Sequence, residues 1–94
     1  MASVVITPTA QGNLDVLIET LSLPASTRDR VRASLEPLRQ FPRLGAPLEG
    51  RWAGLRFVLG PWRWMIVVYH YDARLDRVTI VTTRDARSVR SPRV

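Results

Sequence analysis

The segment from Phe41 to Asp72 constrains the fold of this 94-residue chain more than any other part of the sequence. It begins with two prolines and two glycines between Phe41 and Gly50, a composition typical of a loop. A phrase of the form L-E-G-x-x-x-G-L-R follows, and an arginine then opens a strongly apolar run. Because short apolar runs bounded by turn residues are typical of buried strands, this order predicts a loop that leads into a sheet.

The residues before this segment predict a strand and then a helix. Ser3 to Ile6 is a short β-branched run that predicts a first strand. Thr7 can cap the following helix, and Pro8 fits its first position, where the backbone N–H has no intrahelical partner. Apolar residues then recur at helical spacing and give the helix one apolar face, made of Ala10, Leu14, Leu17, Ile18 and Leu21.

A second helix is predicted after the break at Leu23-Pro24-Ala25, with Ser26 as its cap and Asp29 in its first turn. Its apolar face comprises Val31, Leu35 and Leu38. Pro37 removes a backbone donor and clashes with the preceding turn. We therefore expect the helix to end or kink near Glu36 and to be followed by a short extra turn.

Three strands are predicted in the second half of the chain, at about Ala53–Leu59, Arg63–Tyr71 and Arg77–Thr83. The second of them is nearly all apolar, which is typical of a central strand buried on both faces. A single α+β domain over residues 1–94 follows, with order β-α-α-β-β-β and two helices packed on a twisted, mainly antiparallel sheet of about four strands. The polar tail from about residue 88 is expected to be flexible.

The positive charge is distributed unevenly along the chain. All 14 cationic residues are arginine, and none precedes Arg28. Residues 1–27 contain two acids and no arginine, for a net charge of −2, whereas residues 28–94 contain 14 arginines and 6 acids, for +8. A GC-rich genome explains arginine in place of lysine, but it does not explain this asymmetry. The pattern favours a polyanionic partner such as RNA, DNA or an acidic protein.

Most catalytic constellations are missing from the sequence. The chain has no cysteine and one histidine, His70, and it has no Gly-rich phosphate loop, so neither a metal nor a cofactor is expected. The arginines remain as candidates. If the last strand pairs with the central one, Arg56, Arg63, Arg84 and Arg87 converge on one end or face of the sheet, where guanidinium groups suit phosphate recognition. The alternative is that these arginines simply face solvent.

The three tryptophans Trp52, Trp62 and Trp64 allow two interpretations. Aromatic side chains interleaved with arginine suit the stacking of single-stranded bases. Tryptophans beside turns also pack over the edge of a core, which is the more frequent arrangement. His70, which alternates with Tyr69 and Tyr71, is expected to pack or hydrogen-bond rather than act as an acid or base.

The sequence gives no sign of export or membrane insertion. The start, MASVVITPTAQG, has neither a basic region nor a long apolar run, and the apolar stretch from Trp64 to Tyr69 is too short to span a bilayer. A cytoplasmic protein without a membrane partner is therefore expected.

Several phrases in this order resemble the RelE/ParE superfamily of toxins from bacterial type II toxin–antitoxin modules. They are Val5-Ile6-Thr7-Pro8-x-Ala10, the loop at Pro42 to Gly45, Leu48-Glu49-Gly50 to Gly54-Leu55-Arg56, Trp62-Arg63, and Arg84-Asp85-x-Arg87. The resemblance covers residues 3 to about 90. It implies an acidic antitoxin that binds the toxin in a hetero-oligomer, and a role in plasmid stabilisation.

Two activities are known for this superfamily, and the resemblance implies one or the other. RelE-like members are metal-independent endoribonucleases that cut ribosome-bound mRNA, whereas ParE-like members inhibit DNA gyrase without being enzymes. On the RelE reading, Arg56, Arg63 and Arg84 are the expected catalytic residues, and Arg51, Arg87, Trp62 and Tyr69 the expected substrate contacts. Glu49 and Val58 replace basic residues of RelE and the tail has no tyrosine, which favours the ParE-like alternative or an inactive relative that acts as a binding module. The arginines present at all three expected catalytic positions favour RelE-like cleavage, which is the activity we expect.

Overall fold

A computed structural model of the protein describes residues 1–88, and the flexible tail predicted from about residue 88 falls almost entirely outside them. The elements are β1 (Ser3–Ile6), α1 (Pro8–Thr20), α2 (Thr27–Leu35), α3 (Pro37–Gln40), β2 (Ala46–Pro47), a 3₁₀ turn (Gly50–Trp52), β3 (Arg56–Leu59), β4 (Met65–Asp72) and β5 (Arg77–Asp85). The strands form one sheet in the order β1-β5-β4-β3-β2.

The predicted α+β class is confirmed, with one more strand than expected. Ala46 and Pro47 in the Pro/Gly loop pair with Phe57 and Arg56 and form the two-residue edge strand β2. Proline is tolerated there because an edge position needs no ladder donor. β1 pairs parallel to β5, and the other pairs are antiparallel, so the sheet is mixed.

The two long helices begin and end close to the predicted positions. Thr7 caps α1, and its side chain accepts a hydrogen bond from the Ala10 N–H at 3.1 Å. α2 ends at Leu35, and Pro37 opens the short α3, as expected for a helix-interrupting proline. Ser26 occupies the cap position of α2, but its side chain makes no capping bond. Thr27 instead stabilises the turn before α2, because its hydroxyl donates a hydrogen bond to the Pro24 carbonyl at 2.6 Å.

The predicted strand boundaries need correction in the second half of the chain. β3 begins at Arg56 rather than Ala53, because Gly50–Trp52 forms a 3₁₀ turn and Gly54 adopts a φ of 88°. β4 begins at Met65 rather than Arg63, since the Met65 N–H bonds to the Trp62 carbonyl at 3.0 Å and closes a turn. β5 continues beyond Thr83, because its end stays paired with the start of β4.

Apolar side chains pack on both faces of β4, as predicted for the central strand. On the helix side, Met65, Val67 and Tyr69 pack with Leu14, Leu35, Leu38 and their neighbours. On the opposite face, here called the outer face, Ile66 and Val68 pack with Leu48 and are bordered by Trp52, Leu55, Phe57 and Ala86. The segment that precedes β3 therefore covers the outer face. Within the described residues, no helix is long and apolar enough to cross a bilayer.

Candidate functional site

Arg84 lies on the outer face because of an irregularity in the sheet. The register between β4 and β5 shifts at Val68/Tyr69, so that Tyr69 pairs with Ile80 but Val68 pairs with Thr82. Val81 is thus the extra residue of a β-bulge. Because successive side chains of a strand point to opposite faces, this extra residue moves every later side chain of β5 to the other face of the sheet. Arg84 consequently pairs with Ile66 and shares its face.

The Arg84 guanidinium lines a shallow groove beside Trp52. Its Cζ atom lies 5.4 Å from the centroid of the Trp52 ring, and that of Arg51 lies 5.6 Å from the same ring. Arg51, Trp52 and Arg84 together line a groove of about 240 Å³. The predicted site residues Arg51 and Arg84 are therefore brought together, with Trp52 between them.

The terminal nitrogens of Arg84 are available to an anion. Its Nε donates to the Thr82 hydroxyl at 3.2 Å, and no hydrogen-bond acceptor or carboxylate among residues 1–88 engages its other nitrogens. The edge made by the two terminal NH₂ groups matches the spacing of two phosphate or carboxylate oxygens. This arrangement can bind a phosphate in two-point fashion.

Arg56 is positioned differently from Arg84. Its Nη1 donates to the Gly45 carbonyl at 2.8 Å and more weakly to the Arg43 carbonyl at 3.4 Å. It pairs with Tyr69 on the helix side, three β4 residues from the Ile66–Arg84 pair, which is about 10 Å along the strand. Arg56 and Arg84 therefore do not converge on one face, contrary to the arrangement that we expected from the sequence.

Tyr69 lies inside the protein rather than on a surface. Its side chain is 0% exposed, its hydroxyl donates to the Pro42 carbonyl at 2.8 Å, and the same oxygen accepts from the Gly45 N–H at 2.8 Å. Burial raises the pKa of the phenol above its ordinary value. We expected Tyr69 to contact a substrate, but in this structure it holds the loop from Pro42 to Gly45 against β4.

Trp62 and Trp64 stack on each other, and each ring also has a guanidinium group close to it. Their rings lie 5.8 Å apart and nearly parallel, at 8°. The Arg30 guanidinium lies 5.9 Å from the Trp62 ring and the Arg87 guanidinium 5.0 Å from the Trp64 ring. The stack joins α2, the β3–β4 turn and the residues after β5. Trp62, an expected substrate contact, is thus engaged by protein groups.

Arg63 and Arg87 lie at this same end of the sheet but differ in what engages them. Arg87 pairs with Asp85 at 2.8 Å, and the pKa of that carboxyl is lowered chiefly by its hydrogen bond with the Arg87 guanidinium. Arg63 is exposed in the β3–β4 turn, and no side chain or carbonyl of residues 1–88 binds its guanidinium. Arg63 therefore remains available to a ligand.

Solved structures share this arrangement of elements. The chain matches a chain of the toxin–antitoxin complex RelBE2 from Mycobacterium tuberculosis at 22% identity and a TM-score of 0.58, covering 89% of this chain and 96% of the other. It matches a chain of the ParDE system of Pseudomonas aeruginosa at 15% identity and a TM-score of 0.68, covering 90% of this chain and 96% of the other. It matches a chain of the intact Escherichia coli RelBE complex at 14% identity and a TM-score of 0.66, covering 94% of this chain and 100% of the other. The chain has the RelE/ParE toxin fold.

The likeness to the RelE/ParE toxin fold lies in the structure rather than in the sequence. No protein-family model matches the sequence, and no curated protein matches it at a significant level. Within this fold the three expected catalytic arginines occupy three different settings. Arg84 lies in the outer groove, Arg63 lies exposed in the β3–β4 turn, and Arg56 lies on the helix side against loop carbonyls.

Two side chains behind Arg84 could not be identified from the sequence. Thr82, 4% exposed, donates from its hydroxyl to the Asn13 Oδ1 atom of α1 at 2.7 Å and accepts from Arg84 Nε. Asn13 and Thr82 are 69 positions apart, so no local motif connects them. In residues 1–88 of this RelE/ParE toxin fold, no three His, Cys, Asp or Glu side chains come close enough together to hold a metal ion.

Replacing Tyr69 by phenylalanine is expected to lower the free energy of unfolding by about 1–3 kcal/mol, because the Gly45 N–H and the Pro42 carbonyl lose their partner. Urea unfolding at pH 7 measures the loss. Since folding raises the pKa of Tyr69, its stabilisation is present below the ordinary value of 10.0 and is lost as the pH rises beyond it. The variant should lack this part of the alkaline decline, and an unchanged decline would contradict the assigned role.

Proposed function

We propose that this chain is the toxin of a toxin–antitoxin module and that it arrests growth by RelE-like cleavage of ribosome-bound mRNA. The observation that carries the proposal is the outer groove, in which Arg84 presents its terminal nitrogens on a fold shared with RelBE and ParDE chains. A cleavage reaction at a phosphodiester needs this kind of cationic donor, because negative charge accumulates on the phosphoryl oxygens in the transition state.

An acidic antitoxin is the partner that the charge distribution supports. Residues 28–94 carry a net charge of +8, and the arginines at positions 32, 63, 74 and 77 form no ion pair with any residue of the described part of the chain. A surface with that excess attracts a polyanionic segment and discourages self-association. The matched RelBE2 and RelBE structures are complexes of a toxin with an antitoxin. Both proposed targets, the ribosome and gyrase, place the toxin in the cytoplasm.

The proposed cleavage uses the RNA's own nucleophile. The 2′-oxygen forms a bond to the adjacent phosphorus while the bond to the 5′-oxygen breaks. The 2′-hydroxyl proton passes to water, the leaving 5′-oxygen takes a proton from water, and a 2′,3′-cyclic phosphate remains. Arg84 donates two hydrogen bonds to the non-bridging oxygens, and Arg63 adds a second positive charge. Arg56, whose Nη1 is engaged by the Gly45 carbonyl, contributes through its charge and holds the loop.

ParE-like inhibition of DNA gyrase is the second candidate, and the positions of the arginines favour it. Arg56 and Arg84 lie on opposite faces of the sheet, and Tyr69 is buried. Among the described residues, the side chains that contact Arg84 are Thr82 and Trp52, neither of which is a general base. A binding surface needs no such group. An inactive relative that retains only the binding surface is the third possibility.

Expression of the protein alone separates these candidates. The chain is induced from a tightly repressed promoter, and incorporation of radiolabelled methionine and plasmid supercoiling are followed over the first minutes. We expect growth arrest, with incorporation falling at least tenfold while plasmid topology stays unchanged. Linearised or relaxed plasmid with continued incorporation would support gyrase as the target. Normal growth at a protein level verified by immunoblot would contradict toxicity. Co-expression with a small acidic protein encoded beside it should restore growth.

A further inference from the structure

We infer that the groove of Arg51, Trp52 and Arg84 is a subsite for a single nucleotide of single-stranded RNA. In it the Trp52 ring stacks on the base, Arg84 binds the adjacent phosphate, and Asn13 and Thr82 orient the Arg84 guanidinium. The inference rests on the proposed function for the choice of RNA as the target. It names a stacking residue and two positioning residues for that site, and it can fail without the proposed function failing.

Trp52 is held in place as a stacking platform by the outer-face cluster. It ends the 3₁₀ turn and packs against the buried residues Leu48, Ile66 and Val68, and it is partly buried. The two guanidinium carbons lie 5.4 and 5.6 Å from its ring centroid, which is the distance of a cation–π contact. A base that stacks on the ring displaces one of these contacts and brings its phosphate beside a guanidinium group.

The other two tryptophans cannot serve in this way. Trp62 and Trp64 stack on each other, and Arg30 and Arg87 lie against them from the helix and from the end of the sheet. Each of these rings already stacks on the other, and the guanidinium beside Trp64 is held by Asp85. Trp52 is the tryptophan whose ring lines a groove beside an arginine with available donors.

Asn13 and Thr82 fix the direction in which Arg84 donates. A hydroxyl has one donor and two acceptor positions. Thr82 uses its donor on Asn13 Oδ1 at 2.7 Å, which leaves its oxygen to accept from Arg84 Nε at 3.2 Å. With Nε anchored, the edge carrying the two NH₂ groups is presented to the groove. An arginine that is oriented beforehand loses less conformational freedom when it binds a phosphate.

Binding of a short oligonucleotide to the full-length protein tests the subsite. The probe is a fluorescein-labelled single-stranded RNA decamer with 2′-O-methyl groups, which blocks cleavage, and its affinity is measured by fluorescence anisotropy at several salt concentrations. Trp52→Leu keeps the apolar packing but removes the aromatic face, and it should weaken binding about 5- to 150-fold, the range reported for loss of one stacked base. Trp52→Phe, which keeps a ring, should stay within about fivefold of the wild type.

The positioning residues and the arginine are tested with matched pairs. Arg84→Ala should reduce the slope of log K against log salt by about 0.7, the value for one lost contact with a single strand. Arg77→Ala removes the same charge at the far end of β5, about 23 Å away, and should leave the slope unchanged. Thr82→Val should weaken binding about 3- to 10-fold and Thr82→Ser should restore it, because serine keeps the hydroxyl.

The possible outcomes each decide the inference. Equal weakening by Trp52→Leu and Trp52→Phe, or no weakening by either in a variant shown to be folded by circular dichroism, would overturn the stacking role. Equal affinity for the matched DNA decamer would overturn the restriction to RNA. Loss of toxicity without loss of decamer binding would leave the subsite in place. Binding that depends on Trp52 in a chain that is not toxic would sustain the subsite and contradict only the proposed function.

Discussion

Replacing Gly45 by alanine is expected to destabilise the protein by about 3–5 kcal/mol, the sum of an overpacked core position and broken buried hydrogen bonds. A Cβ atom at position 45 would lie 2.5 Å from the Phe57 carbonyl oxygen and 2.6 Å from the Tyr69 ring. The carbonyl belongs to β3 and the ring is fully buried, so neither can move aside cheaply. The same methyl would also separate the Gly45 N–H from the Tyr69 hydroxyl.

A loss of that size is a large share of the roughly 5–14 kcal/mol typical of a domain of this length. Urea unfolding followed by circular dichroism measures it. Gly12→Ala is the matched control, because nothing lies within 4 Å of its Cβ position and it is inside α1, where alanine is favoured by about 0.5–1 kcal/mol. Similar stability of the two alanine variants would contradict the packing described around Gly45.

Replacing Arg84 by alanine is expected to slow the proposed cleavage about 100- to 1000-fold, the usual effect of removing one donor to a charged transition state, and therefore to relieve the growth arrest. The change removes the guanidinium that faces the outer groove and leaves the half-buried β5 backbone paired with Ile66. Plating efficiency under induction, normalised to the amount of soluble protein, measures the effect. We expect Arg63→Ala to reduce toxicity as well, because Arg63 is the other available candidate at this end of the sheet.

Arg77→Ala is the control for net charge, since it removes one exposed arginine from the same strand without touching the groove. It should retain wild-type toxicity. If Arg77→Ala and Arg84→Ala were equally impaired, toxicity would depend on overall charge. If Arg84→Ala were fully toxic, the site would have to lie elsewhere, and the exposed surface around Arg63 would become the first alternative.

The architecture could be predicted from the sequence because local chemistry determines its main boundaries. Thr7 and Pro8 start α1 where a cap and an N-terminal proline are favoured, and Pro37 separates α2 from α3. The apolar run in β4 indicated burial on both faces, and Met65 to Tyr69 are all 0% exposed. In each case a residue acts on its own backbone or on its immediate neighbours, so the signal is local.

The site could not be predicted to the same extent because it depends on register. Without the bulge at Val81, residue 84 would pair with Met65 and face the helices, the side on which Arg56 lies. One extra residue moves Arg84 to the outer face. No residue type in the sequence marks that shift. The contact of Thr82 with Asn13 likewise depends on how α1 lies beside β5.

The two-residue strand β2 shows a related limit. A Pro/Gly-rich segment is typical of a loop, and Gly45 and Pro47 favour that prediction. The segment becomes an edge strand because Ala46 and Pro47 pair with β3, while Tyr69 and Arg56 bond to the carbonyls and N–H groups just before it. Those bonds come from residues more than ten positions away. Arg56, an expected catalytic residue, and Tyr69, an expected substrate contact, thus both hold this loop in place.

Mapping of mRNA ends after brief induction tests the central claim most directly. Total RNA from cells that express the wild-type chain, Arg84→Ala or Arg77→Ala is analysed by primer extension on a well-translated message and on a copy whose start codon is removed. We predict new 5′ ends within the translated message for the wild type and Arg77→Ala, and none for Arg84→Ala or for the untranslated copy. Intact mRNA in growth-arrested cells, together with linearised plasmid, would contradict the cleavage account and assign the toxin to gyrase.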